Sequence, residues 1–67
     1  MTPIRRVAMR LKRLRDEQGL SQRALAEKAG ISREYLARLE TARQDPTLST
    51  LEKLAKALGV KVAALLE

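Results

Sequence analysis

Residues 21–41 read SQRALAEKAGISREYLARLET, and the punctuation inside this stretch decides the fold. Ser21 and Ser32 each precede a run with helical spacing, and a serine oxygen there can accept a hydrogen bond from a first-turn backbone N–H. The same apolar spacing recurs around each serine, Leu20 with Leu25 and Ile31 with Leu36, as in a hydrophobic staple flanking an N-cap. Gly30 stands between the two runs, where a residue without a Cβ takes the left-handed conformation at little steric cost. The pattern predicts one helix over 21–29 and another over 32–41. Ala29-Gly30-Ile31-Ser32 is too short a connector for an antiparallel hairpin of any length, so the two helices must cross steeply. Small Ala26 sits where they approach, and Leu25, Ala29, Ile31, Leu36 and Leu39 supply the inward side chains.

Two short helices so joined form a helix-turn-helix, and the rest of the chain is punctuated in the same way, with no strand-like alternation. Thr2 followed by Pro3 is an N-cap with proline at the first helical position, and Ile4, Val7, Leu11 and Leu14 recur at helical spacing. That helix is expected over 3–18, closed by Gly19 with Leu20 folding back on its last turn. Asp45-Pro46 interrupts again, because proline pushes its predecessor out of the helical region. Leu48, Leu51, Leu54, Ala55 and Leu58 then mark a fourth helix, capped either by Thr47 or by Ser49 with Glu52 as a capping box. Gly59 stops it, and Val62, Leu65 and Leu66 mark a last short helix. Lys61 stands at its start where Ser, Thr or Asp is favoured, so fraying is expected there. The expectation is an all-α fold of five short helices in a single domain over 1–67.

Composition narrows the function. Among 67 residues 45% are apolar, enough for a core, and there is no Cys and no His. Disulfides, thiolate metal sites, the usual zinc ligands and the usual general base are therefore missing, so an enzyme or a metalloprotein is not expected. No apolar run approaches the roughly 18 residues of a membrane span and no signal peptide opens the chain, so a cytoplasmic protein is expected. The net charge of +6 lies entirely in residues 1–15, which hold Arg5, Arg6, Arg10, Lys12, Arg13 and Arg15 and no acid; residues 16–67 are balanced. A helix there puts Arg5 and Arg6 near its positive end and Asp16 and Glu17 at its negative end, against the preference of the macrodipole. Such placement points to an external anion, with a solvated face as the plainer reading.

Gly19-Leu20-Ser21-Gln22, Leu25-Ala26, Ala29-Gly30-Ile31-Ser32, Leu39-Glu40, Asp45-Pro46-Thr47-Leu48 and Leu54-Ala55-Lys56-Ala57-Leu58-Gly59-Val60 together resemble the phage-repressor and Cro class of DNA-binding domains, with its lambda-repressor-like five-helix fold. The resemblance covers nearly the whole chain. Ala42 departs from it, since the family usually ends its recognition helix with glycine; a left-handed Ala costs roughly 1 kcal/mol.

The helix over 32–41 is also legible without the family. With Leu36 and Leu39 inward, a turn of about 100° per residue puts Glu34, Arg38 and Thr41 outward, with Arg33 and Ala37 beside them. Arg can pair with guanine O6 and N7, Glu can accept from cytosine N4, and an Ala methyl can touch thymine. Ser32, Arg33, Glu34, Ala37 and Arg38 are the candidate base readers. Glu34 and Arg38 are also spaced to pair with each other on a solvated face.

The resemblance implies the supporting roles. Gln22 matches the position where the family grips a phosphate, and Arg43 matches a backbone contact in the loop. The Tyr35 hydroxyl either reaches a phosphate or serves packing. Arg15 and Glu40 match a partly buried ion pair between the first and third helices, which leaves Arg5, Arg6 and Arg10 as the phosphate candidates in helix one and Lys12 and Arg13 as solvated charges. The implied function is sequence-specific binding of double-stranded DNA at a palindromic operator by a homodimer, as a cytoplasmic, nucleoid-associated repressor of bacterial or phage type. No cofactor, metal, membrane or small-molecule ligand is expected. A protein-interaction module, such as an antitoxin of the same fold, is the competing reading; it needs exposed apolar surface that the sequence offers only in its final turn. A lipid-binding helix over 4–14 fails because Ile4, Val7, Leu11 and Leu14 are needed to close the core.

Overall fold

The computed structural model describes residues 3–67. Its helices are α1 (Pro3–Glu17), α2 (Gln22–Ala29), α3 (Arg33–Glu40), α4 (Leu48–Leu58) and α5 (Ala63–Leu66), with no strand among the described residues. The expected N-cap Thr2 lies outside the described residues.

The caps fall where the side-chain chemistry places them. Ser21 Oγ accepts from Ala24 N at 3.0 Å and Ser32 Oγ from Tyr35 N at 3.1 Å, both from extended backbone. Thr47 Oγ1 accepts from Thr50 N at 3.1 Å, so Thr47 and not Ser49 caps α4. Each cap satisfies one of the first-turn N–H groups that have no partner inside the helix. α2 ends at Gly30, left-handed at φ 74°, with Ile31 N donating back to Ala26 O at 3.0 Å, the closure of a Schellman motif. α3 closes identically on a residue that has a Cβ: Ala42 stands at φ 58° and Arg43 N donates to Arg38 O at 2.9 Å. α1 and α3 are a residue or so shorter than the sequence suggests, since Ser32 and Thr41 flank α3 in non-helical conformations.

The core is one apolar cluster to which every helix contributes. Leu11, Leu25, Leu36, Leu54 and Leu65, one from each helix, are fully buried. Ala26, Ala29, Ala55 and Ala57 fill the narrower gaps and let α2 approach α4 and α3. α1 lies against α5 on one flank and against α3 on the other. α3 packs against α2 and α1, and its exposed face carries the polar residues.

Candidate nucleic-acid interface

Inward, α3 commits Leu36 and Leu39 to the core, 0% and 2% exposed. Outward it presents Arg33, Glu34, Arg38 and Thr41, with Ser32 exposed at its start and Ala37 half-buried beside the stripe. Of the proposed base readers, Arg33, Glu34 and Arg38 thus lie on this exposed ridge, with Ser32 at its start and Ala37 beside it. Ser32 Oγ is occupied as an acceptor by its capping bond, which leaves its O–H as a donor.

Glu34 and Arg38 form no ion pair among the described residues. Arg38 turns the other way: its Nε donates to Gln44 Oε1 at 2.8 Å, and its guanidinium carbon lies 5.9 Å from the centroid of the Tyr35 ring. Tyr35 is half-buried against the core and its hydroxyl lies 3.2 Å from Thr50 Oγ1 on α4. Sequence reasoning misses both Gln44 and Thr50, whose approach to α3 depends on a chain reversal and on α4 docking. The one signal for the reversal was the position of Ala42.

Behind the ridge, the Arg15 guanidinium grips Glu40 with two bonds, Nε to Oε2 at 2.7 Å and Nη2 to Oε1 at 3.0 Å, while Nη1 donates to Leu20 O at 2.8 Å. Gln22 Nε2 donates to Glu40 Oε1 at 3.1 Å. The Glu40 side chain is 2% exposed and that of Arg15 11%. The hydrogen bond to Glu40, against the opposing effect of burial and helped by the charges of Glu40 and Asp16, raises Arg15 above the ordinary guanidinium range. Its contribution is therefore complete below that range and is lost only at pH values above it. This junction ties the ends of α1 and α3 to the start of α2 and so fixes how far the ridge projects.

The basic residues of α1 divide between two flanks. Arg5 shares a hollow with Ala8, Met9, Glu40, Thr41 and Ala42, at the end of the ridge. Arg6 and Arg10, grouped with Arg5 by the sequence reading, line a depression with Arg13 and Glu67. Five residues at about 100° each turn Arg10 roughly 140° from Arg5 around the helix, toward α5. Arg10 Nε is enclosed there without a hydrogen-bond acceptor among the described residues. Arg43 is exposed directly after the ridge, and Gln22 stands half-buried at the first position of α2.

The model of the helix-turn-helix family HTH_3 matches residues 11–65. The immunity repressor protein of Bacillus phage phi105 is 52% identical over 59 residues, 88% of this chain and 41% of that protein. The restriction-modification controller protein C.AhdI from Aeromonas hydrophila superposes with a TM-score of 0.90 at 34% identity, over 92% of this chain and 94% of that one. The biofilm master regulator SinR, crystallised in complex with DNA, superposes with a TM-score of 0.87 at 40% identity, over 91% of this chain and 98% of that one. The chain spans about half the length of the curated relatives it matches.

Proposed function

The chain belongs to the helix-turn-helix family, and from that premise we propose that it is a DNA-binding transcriptional regulator that reads the major groove with α3 and acts as a repressor by occupying its site. The observation that carries this is the ridge: Arg33, Glu34, Arg38 and Thr41 project from a helix whose opposite face is locked into the core. Ser32, Arg33, Glu34, Ala37 and Arg38 are the base-reading set, with Arg pairing to guanine and Glu to cytosine. Phosphate contacts fix the pose and carry no sequence information. Gln22 supplies one through the second hydrogen of Nε2, the first being given to Glu40, and through its N–H at the positive end of α2. Arg5 and Arg43 supply others at the far end of the ridge. Tyr35 contributes its O–H when Thr50 is the donor between them, an arrangement open to this pair. Arg6 and Arg10, on the flank beside α5, act at longer range by adding to the positive field that draws in DNA.

One protomer reads about four base pairs with these side chains, so specificity requires two copies on a palindrome with half-sites about 34 Å apart. The longest extent of the fold is 27 Å, so two copies fit side by side on one face of the duplex. Such a regulator works in the cytoplasm, on the nucleoid. Selection of bound sequences from a random duplex pool tests the proposal. Enrichment of one palindrome, with affinity that falls steeply as salt rises, is the expected outcome. If no sequence enriches, or if heparin competes as well as the enriched duplex at every salt concentration, specific reading is refuted.

A further inference from the structure

We propose that Gln44 is a positioning residue for Arg38 and that Gln44 and Tyr35 together make Arg38 a reader of guanine; this rests on the assignment of α3 as the base-reading helix. Arg38 is held on two sides. Gln44 Oε1 accepts from its Nε at 2.8 Å, and the Tyr35 ring lies under its guanidinium with 5.9 Å from carbon to centroid. The ring is itself anchored, because its hydroxyl meets Thr50 Oγ1 at 3.2 Å and Thr50 Oγ1 accepts from Thr47 Oγ1 at 3.0 Å. The frame therefore extends from the loop after α3 to the first turn of α4. Gln44 reaches it because the left-handed Ala42 turns the chain back on α3, with Arg43 N bonded to Arg38 O at 2.9 Å.

The chemistry follows from the shape of the guanidinium, a planar fork of five N–H donors. With Nε engaged by Gln44, the two terminal nitrogens of this exposed side chain have no hydrogen-bond acceptor among the described residues and are available as an end-on pair. That pair matches the O6 and N7 acceptors of guanine, whereas adenine offers N7 beside a donor. Gln44 accepts without carrying charge, so Arg38 keeps its full attraction for the base. Holding a long side chain in advance also removes the ordering that docking otherwise requires, which corresponds to about two- to tenfold in affinity.

The test uses the whole chain and the duplex enriched in the selection described above, with each base pair of a half-site varied in turn. Arg38→Ala is expected to relax one G·C position. Gln44→Ala is expected to lower discrimination at that same position by about two- to tenfold, to leave other positions and non-specific duplex unchanged, and to have no effect when added to Arg38→Ala. Gln44→Glu keeps an acceptor for Nε, so it retains discrimination at the position while weakening every duplex alike, a split that loss of fold does not produce. Uniform weakening by Gln44→Ala, or an equal effect in the Arg38→Ala background, overturns the positioning role. Relaxation at an A·T position overturns the guanine assignment. If Arg38→Ala relaxes a position and Gln44→Ala is silent, this proposal alone falls; if Arg38→Ala relaxes none, the base-reading role of Arg38 falls and the positioning role with it.

Discussion

Arg15 and Arg38 both donate from Nε to a side-chain oxygen, at 2.7 and 2.8 Å, and both sit on the helices that frame the ridge. Their surroundings make them opposites. Arg15 delivers three bonds into a site where its partner Glu40 is 2% exposed, and nothing of it is offered outward. Arg38 is exposed, and among the described residues it gives one bond, to an uncharged acceptor, with its terminal nitrogens unengaged. The same planar fork is a fastener where water is excluded and, on the proposed function, a probe where water can be displaced by a base. In the first case its removal should unsettle the fold, and in the second the selectivity.

The largest effect expected is at the fastener. Glu40→Ala leaves the Arg15 charge enclosed without its partner and is expected to destabilise by about 3–5 kcal/mol, read as a shift in the urea midpoint. At about 0.05–0.15 kcal/mol per residue a domain of this size holds roughly 3–10 kcal/mol in total, so the variant is expected to lose a third or more of its stability. Arg15→Met combined with Glu40→Leu should recover much of that loss; a double variant as unstable as the single one would mean that the pair holds the fold by more than charge compensation. Next comes Arg38→Ala, with discrimination at one position per half-site reduced by about 1–3 kcal/mol and stability changed by less than about 0.5 kcal/mol. A large drop in melting temperature for this variant would erase the contrast between the two arginines. Ala42→Gly, which relieves the left-handed Cβ, is expected to stabilise by about 1 kcal/mol without altering the selected sequence. The smallest effect concerns α1: Arg5→Ala should reduce the salt-dependence slope of DNA binding by about 0.9 and Arg10→Ala by much less. Equal slopes would return both residues to one phosphate-binding group.

Much of this architecture was legible because its signals are local. Ser21, Gly30 and Ser32 act on their own neighbours, so the caps and the turn could be placed from spacing alone, and Leu36 with Leu39 fixed which face of α3 is outward. The bond from Arg38 to Gln44 was not legible, since six residues and a left-handed turn separate the partners and no periodicity relates them. The contact between Tyr35 and Thr50 depends on how α4 docks, which is a property of the assembled core. The division of the α1 arginines was available in principle. Charge counting treats Arg5 and Arg10 as one cluster, whereas the helical rotation between them already sends one toward α3 and the other toward α5.

The five fully buried leucines, one from each helix and all in one core cluster, have a consequence for motion. A segment as short as α5 has no helical stability of its own, and its Leu65 belongs to the same core cluster, reached through α1 and α4. No helix can detach without wetting the shared centre, so amide exchange at the most protected positions of α2, α3 and α4 should follow one common opening equilibrium. The exposed ridge of α3, built on that shared core, should keep its orientation through ordinary thermal fluctuation and lose it only when the whole domain opens.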